Sequence, residues 1–270
     1  MGLFRAYNIP DEIICRIIYE YSGMLHPLAE IVQKELIDSN TYYRFNHVYS
    51  NEMEHDACGV GLIASTNGKK SRKIVELGIQ ALKAIWHRGA VDADGKSGDG
   101  AGIQIEIAPE FFKEKIINTG HDPDNTKRIC VGMVFLPRTD YVEQEKCREI
   151  IESILLEENY YIYGWRQVPF NSNVLGKTAE QSRPEIAQVM FKKNENLETN
   201  DLERNLFETR KKIEKLARKN QLKNFYICSF SSRSIVYKGM FLAEMLAEFY
   251  LDLNDKKLTS RFIIFHQRYS

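Results

Sequence analysis

The fold is decided around the stretch Cys58-Gly59-Val60-Gly61-Leu62-Ile63-Ala64-Ser65-Thr66-Asn67-Gly68. Its short apolar part, residues 59–65, predicts a strand, and the Asn67-Gly68 pair that follows is typical of a turn. Beyond the turn, apolar side chains recur three and four positions apart, which predicts an amphipathic helix. The apolar face of that helix consists of Ile74, Leu77, Gly78, Ala81, Leu82 and Ile85.

The same alternation of strand and helix patterns continues to the end of the chain. Residues 102–107 alternate apolar and polar side chains, as a half-buried strand does. Further strands are predicted at 129–136, 160–168, 186–192 and 261–269, with two more inside 225–237, and helices at 141–158, 201–220 and 240–250. Many strands mixed with several helices indicate an α+β fold with layers of sheet and helix.

Residues 1–57 differ in character from the rest. Helices are expected at 10–18, where Pro10 suits a first helical turn, and at 27–37. A polar, aromatic-rich stretch without a clear period follows at 40–50. We interpret residues 1–57 as an N-terminal extension or pro-segment, with an added helical subdomain as the open alternative.

The composition is that of a globular protein with a small-molecule site. Hydrophobic residues make up 43% of the 270 residues, and the 37 basic residues balance the 37 acidic ones. A neutral chain gives no electrostatic case for binding nucleic acid or a membrane surface, so neither is expected as a partner. The N-terminus lacks the basic segment and long apolar core of a secretory signal, and its acidic residues argue against an organelle transit peptide.

The cysteines are odd in number, scattered, and never form a Cys-x-x-Cys pair, which argues against a disulfide framework, a zinc site or a local iron–sulfur loop. No metal site is therefore expected in this chain. Free thiols favour a reducing compartment, and we expect a cytoplasmic enzyme. The five cysteines are Cys15, Cys58, Cys130, Cys147 and Cys228.

Chemistry-bearing side chains cluster at the ends of the predicted elements. Cys58 begins a strand, His87-Arg88-Gly89 closes the first amphipathic helix, and His266-Gln267-Arg268-Tyr269-Ser270 ends the chain. Ser97-Gly98-Asp99-Gly100-Ala101-Gly102 precedes a strand rather than a helix and lacks Gly-Lys-Ser/Thr, so it is not a phosphate loop. Each cluster also has an ordinary explanation, since a lone cysteine is often a small buried residue and glycine often serves turn geometry.

Read in order, these segments resemble the N-terminal amidotransferase domain of the glutamate synthase large subunit, a class II glutamine amidotransferase. The His-Arg-Gly and Arg-Tyr-Ser pieces are similar to class II amidotransferases generally, whereas the Gly-Trp-Arg and Ser-Ser-Arg blocks are similar to glutamate synthase in particular. The matching segments, from Glu54 onward, are 56–61, 82–91, 98–103, 164–169, 174–176, 231–240 and 265–270.

The resemblance implies an N-terminal-nucleophile hydrolase fold, an αββα sandwich of two antiparallel sheets. It implies that Cys58 is the catalytic nucleophile and that its free α-amino group accepts the thiol proton. Residues 1–57 would then be a propeptide, and residues 58–270 a glutamine amidotransferase type 2 domain. By the same resemblance Arg268 binds the α-carboxylate of L-glutamine, and Arg88 and Gly89 shape the substrate pocket. An Asn-Gly oxyanion segment is expected after Ser270, so that the domain is incomplete, truncated on its C-terminal side.

The resemblance also implies a role in glutamate biosynthesis and ammonia assimilation. The ammonia released from glutamine would serve reductive synthesis of glutamate from 2-oxoglutarate, which makes the full-length chain an oxidoreductase. FMN and an iron–sulfur cluster are implied for the full-length enzyme and no cofactor for these residues. Partners would be the downstream synthase domains of the same chain and a small electron-donating subunit. The alternatives are another class II amidotransferase and a non-catalytic regulatory or assembly domain.

Overall fold

A computed structural model describes residues 13–14, 59–85 and 91–267, and for 13–14 it describes the backbone alone. The strands in these ranges are β1 (Ile13–Ile14), β2 (Gly59–Ser65), β3 (Ala101–Glu106), β4 (Cys130–Leu136), β5 (Tyr160–Gln167), β6 (Glu185–Lys193), β7 (Tyr226–Ser231), β8 (Ser234–Gly239) and β9 (Phe262–Gln267). The α-helices are α1 (Arg72–Ala84), α2 (Pro109–Ile117), α3 (Tyr141–Glu157), α4 (Lys177–Ser182), α5 (Thr199–Lys219) and α6 (Leu246–Phe249).

The strands form two antiparallel sheets. Sheet I has the order β1-β2-β9-β3-β8, and sheet II has the order β5-β6-β4-β7. In sheet I, β9 lies between β2 and β3, so the last strand in the sequence pairs with the first strand after the N-terminal region. The α+β prediction with two antiparallel sheets is therefore confirmed.

One apolar core joins the facing sides of the two sheets. It contains Ile63, Ile103 and Phe265 from sheet I and Met133 and Met190 from sheet II. Side chains from α1 and α2 also belong to it, through Ile74, Val75, Leu82, Phe111 and Phe112. Burying such side chains stabilises the fold by roughly 1.5–3 kcal/mol each, before the entropy cost of ordering them.

A second core covers the other face of sheet II. Alternate residues of β4 and β6, among them Val134 and Phe191, pack there against α3 and α5. The apolar face predicted for α3 is buried as expected, through Ile150, Ile151, Ile154 and Leu155. Sheet II is thus enclosed on both faces, by sheet I and by a helical layer.

Capping side chains fix where the helices begin. Ser71 accepts a hydrogen bond from the backbone N–H of Ile74 at the start of α1, and Asp140 accepts one from Glu143 N–H at the start of α3. Such caps satisfy donors that the first helical turn leaves unpaired. Pro109 begins α2, where its missing N–H costs nothing.

Most sequence-based element predictions are confirmed, and two are corrected. Ile13–Ile14 pairs with Ser65 and Ala64 as the edge strand of sheet I, so the predicted helix is wrong at these residues. The pairing has a physical basis, because β-branched residues favour strands over helices. The stretch 240–250 is two short helical turns, at Ala243–Met245 and Leu246–Phe249, rather than one helix. The helix predicted at 27–37 lies outside the described residues.

Candidate active site

The residues predicted to carry the chemistry lie outside the part of the chain that the structure describes. These are Cys58, Arg88, Gly89 and Arg268. What the structure does describe is the framework beside them, because Gly59 follows Cys58 and Gln267 precedes Arg268. Gly59 and Gln267 are direct partners at one end of the β2–β9 ladder.

A row of small residues crosses sheet I at that end. Gln267 pairs with Gly59 on one side and with Ala101 on the other, and Ala101 pairs with Gly239. Gln267 is the only member of this row with a long side chain. It is fully buried, and neither its amide nitrogen nor its amide oxygen has a hydrogen-bond partner among the described residues.

Two glycines of the predicted motifs are required by close packing in sheet I. A Cβ at Gly61 would lie 2.2 Å from Cζ of Phe265 on β9. A Cβ at Gly102 would lie 2.7 Å from Nε2 of His266 and 2.8 Å from Cβ of Lys238. Neither distance is compatible with a side chain, so glycine lets the neighbouring strands place larger groups over β2 and β3.

The glycine-dense cluster before β3 is an ordered loop. Val91 and Gly98 form an isolated antiparallel bridge, and Asp94 accepts hydrogen bonds from the N–H groups of Lys96 and Ser97 and from the Ser97 hydroxyl. The Ser97 hydroxyl in turn accepts from Ala179 N–H at the start of α4. These hydrogen bonds, led by that from Ser97, hold the pKa of Asp94 well below its usual range. Sequence reasoning missed Asp94, although the Asp94-Gly95 pair is a common turn signal.

The Gly-Trp-Arg block belongs to a bulged edge strand. Gly164 has φ +136° at a register shift between β5 and β6, where Thr119 packs against it. Trp165 Nε1 donates to Glu152 on α3 at 2.6 Å. Only glycine adopts that backbone conformation without strain, so the block is explained by strand geometry and packing.

Arg166 from the same block enters a buried polar network between the sheets. Its Nη2 donates to both carboxylate oxygens of Asp252, at 2.7 and 2.9 Å, and the Tyr237 hydroxyl donates to Asp252 Oδ2 at 3.2 Å. Gln188 Nε2 lies 3.5 Å from that hydroxyl. Burial, followed by the negative charge of Asp252, raises the pKa of Tyr237 far above its usual range, so the phenol stays protonated.

The Ser-Ser-Arg-Ser block forms the turn between β7 and β8. Glu203 on α5 accepts hydrogen bonds from the Ser231 hydroxyl and from both the N–H and the hydroxyl of Ser232. Arg233 Nη2 donates to Asn200 at 2.6 Å. The block thus connects the β7–β8 hairpin, whose strands belong to sheets II and I respectively, to α5 in the helical layer.

None of the thiols in the described ranges is suited to nucleophilic attack. Cys130, Cys147 and Cys228 are buried and unpaired. Burial raises the pKa of Cys147 and of Cys228 to about 12 and that of Cys130 still further, so little thiolate forms near neutral pH. The described residues also hold no group of three or more His, Cys, Asp or Glu side chains able to bind a metal ion. No helix among them is long and apolar enough to cross a membrane.

Comparisons with known proteins identify the family. The model of the class II glutamine amidotransferases matches residues 58–270. The chain is 53% identical over 225 residues to the glutamate synthase [NADPH] large chain of Azospirillum brasilense, covering 83% of this chain and 15% of that protein. It is 45% identical over 222 residues to the ferredoxin-dependent glutamate synthase of Pyropia yezoensis, covering 81% and 14% respectively.

A plant relative gives the same result. The chloroplastic ferredoxin-dependent glutamate synthase of Spinacia oleracea is 38% identical over 218 residues, which cover 80% of this chain and 13% of that protein. The chain therefore spans about one seventh of the length of these relatives. Its two antiparallel sheets with flanking helices agree with the α+β sandwich of N-terminal-nucleophile hydrolases. The chain belongs to the class II glutamine amidotransferases.

Proposed function

We propose that this chain is the glutamine-hydrolysing part of a glutamate synthase, with Cys58 as its nucleophile. The observation that carries the proposal is the pairing of Gly59 with Gln267. Each of these residues is covalently joined to a predicted site residue, Cys58 and Arg268, and consecutive Cα atoms lie only about 3.8 Å apart. The family match also begins at Cys58.

The proposed reaction is acyl transfer through a thioester. The Cys58 sulfur attacks the side-chain carbonyl carbon of glutamine, and the thiol proton passes to the α-amino group of Cys58. The C–N bond then breaks, and the leaving nitrogen takes that proton and departs as ammonia. Water adds to the thioester, releases glutamate and returns a proton to the Cys58 sulfur.

A free α-amino group at Cys58 requires cleavage of the bond between Ala57 and Cys58. An α-amine has an ordinary pKa of about 7.7–8.0, which suits a general base near neutral pH. A peptide nitrogen has no basic lone pair and cannot take the proton. We therefore propose that residues 1–57 are a propeptide and that residues 58–270 belong to the amidotransferase domain.

Arg268 is proposed to bind the α-carboxylate of glutamine. A guanidinium matches a carboxylate with paired hydrogen bonds, which fixes both the position and the orientation of the substrate. Arg88 and Gly89 are proposed to form the wall of the same pocket. The closeness of α1 to β9, where a Cβ at Gly78 would lie 2.3 Å from Ile263, supports this, because Arg88 follows α1 in the chain.

The whole enzyme is proposed to use the ammonia for reductive synthesis of glutamate from 2-oxoglutarate. Its relatives are named as NADPH and ferredoxin-dependent enzymes, so the proposal includes an electron donor, and FMN and an iron–sulfur cluster would supply the redox chemistry. Both cofactors are proposed for the part of the full-length enzyme that lies outside residues 1–270. Unpaired thiols support a reducing compartment such as the cytoplasm.

The proposal is tested by comparing two nitrogen sources in the full-length enzyme. Cys58→Ala should abolish glutamate formation from glutamine and leave formation from free ammonia intact. Cys147→Ala is the matched control, because it removes a buried thiol from α3 and should preserve both activities. Intact-mass analysis of the wild-type protein should give a mature chain beginning at Cys58. Loss of both activities in Cys58→Ala, or a mature chain that begins elsewhere, would contradict the proposed function.

A further inference from the structure

The turn between β2 and α1 contains the only Asn-Gly pair of the sequence, Asn67-Gly68. Ser65 is the last residue of β2, and Gly68 N–H donates to the Ser65 carbonyl oxygen across the turn, at 3.4 Å. Gly68 has φ +68°, a conformation that residues with a side chain rarely adopt. Asn67 and Gly68 are both exposed, so water and hydroxide reach them.

Two hydrogen bonds orient the side-chain amide of Asn67. Its Oδ1 accepts from the Ser65 hydroxyl at 2.7 Å and from Lys69 N–H at 3.0 Å. The bond from Lys69 closes an Asx turn, in which an Asn side chain takes the place of a backbone carbonyl group. The ring that this turn closes includes both the side-chain carbonyl carbon of Asn67 and the backbone nitrogen of Gly68. These two atoms are the ones that would have to meet for the Asn67 side chain to react with the main chain.

We propose that Asn67 is a site of spontaneous deamidation, assisted by the donors on its Oδ1. The Gly68 backbone nitrogen gives up its proton to hydroxide and forms a bond to the side-chain carbonyl carbon of Asn67. The bond from that carbon to Nδ2 breaks, and Nδ2 takes a proton from water and leaves as ammonia. Water then opens the resulting succinimide at either carbonyl carbon, so that position 67 becomes aspartate or isoaspartate.

The two donors stabilise the charge that develops during the attack. As the Gly68 nitrogen approaches, negative charge builds on Asn67 Oδ1, and hydrogen bonds to a charged acceptor are roughly twice as strong as neutral ones. The Ser65 hydroxyl and Lys69 N–H therefore act on Oδ1 as the donors of an oxyanion hole do. Glycine at position 68 contributes as well, because it has no Cβ to obstruct ring closure.

Asn171 provides a comparison within the same chain. Its Oδ1 also accepts from the N–H two residues further on, that of Asn173, at 3.1 Å. The residue after Asn171 is Ser172, whose Cβ obstructs the approach of the backbone nitrogen. Asn171 is also half-buried. An Asx turn without the following glycine should therefore react more slowly than Asn67.

Deamidation changes both the charge and the main chain at this turn. The new carboxylate lies in the sequence close to Lys70, whose ammonium is 3.7 Å from Glu106. Isoaspartate also adds a carbon atom to the main chain, close to the hydrogen bond from Ser65 N–H to the Arg261 carbonyl oxygen. The modification therefore alters the connection that leads from β2 into α1.

The test is peptide mass spectrometry of the full-length enzyme during incubation at mildly alkaline pH, with chromatography to separate the aspartate and isoaspartate forms. The peptide that contains Asn67 should gain the mass that accompanies exchange of an amide NH2 for OH, and faster than the peptide that contains Asn171. Ser65→Ala should slow the reaction of Asn67 by about two- to ten-fold, because one donor to Oδ1 is lost.

Ser65→Thr and Thr66→Ala are the matched controls. Ser65→Thr keeps a hydroxyl at this position and should keep the wild-type rate. Thr66→Ala removes a hydroxyl from the neighbouring position of the same turn and leaves the Ser65 donor in place, so its rate should also be that of the wild type. Asn67→Asp identifies the elution position of the aspartate product.

Several results would overturn the proposal. They are an unmodified Asn67 in the folded enzyme, equal rates for Asn67 and Asn171, and a wild-type rate in Ser65→Ala. Equal slowing in Ser65→Ala and Thr66→Ala would also overturn it, because the Ser65 donor would then have no specific effect. Deamidation of Asn67 does not depend on glutamine hydrolysis, so failure of the proposed function would leave these results unchanged.

Discussion

Sheets I and II have the same antiparallel build and differ in how they are packed. Sheet II is buried on both faces, and nearly every residue of β4 and β6 is inaccessible to solvent. Sheet I is buried on one face, while its other face leaves Val60 51% exposed and Ile264 37% exposed. Sheet II therefore supplies most of the packing, and sheet I, whose strand ends adjoin the predicted site residues, supplies the framework for chemistry.

The small residues follow the same division. In sheet I, the row at the end nearest Cys58 contains Gly59, Ala101 and Gly239, and a second glycine on β2 accommodates the ring of Phe265. In sheet II, Gly132 is packed between Phe230 and Val189, within the apolar core under the helices. A glycine thus makes room for a site framework in one sheet and for core side chains in the other.

The largest effect is expected from breaking the buried ion pair between Arg166 of sheet II and Asp252, which lies in the turn Leu251–Asn254. Asp252→Ala leaves the Arg166 guanidinium buried with an uncompensated charge, since the Arg166 side chain is only 11% exposed. Removing one partner of a buried pair typically destabilises a protein by about 3–5 kcal/mol. Urea unfolding should show this loss.

The double variant Arg166→Met, Asp252→Leu is the control for charge. It should recover most of the stability, because an apolar pair leaves no buried charge. Equal destabilisation in the single and the double variants would contradict this account and would assign the effect to packing alone.

A glycine-to-alanine substitution in each sheet distinguishes the role of glycine in the site framework of sheet I from its role in core packing in sheet II. Gly61→Ala places a methyl group 2.2 Å from Phe265, and Gly132→Ala places one 2.8 Å from Phe230. Overpacking typically costs about 1–3 kcal/mol, and the closer contact should cost more. Thermal unfolding should show both losses, whereas glutamine hydrolysis should fall only in Gly61→Ala. Equal loss of hydrolysis in both variants would remove the distinction between the sheets.

Much of this architecture could be predicted from the sequence, because local patterns identify its strands and helices. Period-two and period-3.6 patterns identified β3, α1 and α3, and the charge-laced pattern of 201–220 identified α5 to within two residues of its start. The pattern did not identify α2, since Phe111 and Phe112 are adjacent in a short helix and give no clear period. The helix predicted at 10–18 was wrong at Ile13–Ile14, where pairing with β2 overrode an amphipathic pattern.

The framework of the site depends on contacts between residues distant in sequence, which no local pattern contains. Gly59 and Gln267 are separated by most of the chain and meet only because β9 inserts between β2 and β3. The same is true of Arg166 with Asp252 and of Asp94 with α4. The assignments of Cys58, Arg88, Gly89 and Arg268 remain predictions, because these residues lie outside the described ranges.

A smaller effect is expected at the hairpin that links the two sheets. Glu203→Gln keeps the shape of the side chain but replaces a carboxylate oxygen with an amide nitrogen, so one of its three hydrogen bonds from Ser231 and Ser232 is lost. We expect a destabilisation of about 1 kcal/mol. The control is Glu208→Gln, a substitution on the same helix. Equal changes in melting temperature for the two variants would show that the hairpin contacts contribute nothing specific.

The smallest effect is expected in the pH dependence of stability, at a buried carboxylate of sheet I. Glu106 ends β3 and is 5% exposed. Burial alone would raise its pKa, but hydrogen bonds from Arg261 and the nearby positive charges of Lys70 and Arg261 outweigh burial and lower it. A carboxyl whose folded-state pKa is depressed contributes stability that is complete above its unfolded-state pKa, about 4.3, and is lost as the pH falls through the folded-state value.

Glu106→Gln should therefore reduce stability at pH 7 and flatten its decline below about pH 5. The measurement is the melting temperature from pH 7 to pH 3 for the wild type and the variant. Glu185→Gln, at the first residue of β6 in sheet II, is the matched control, and its profile should follow that of the wild type. Because Glu106 pairs with Ser234 on β8 and binds Arg261, the residue before β9, a flattened profile would assign part of the acid sensitivity of the protein to sheet I. Parallel profiles for the wild type and Glu106→Gln would instead show that Glu106 does not contribute to the acid sensitivity of the protein.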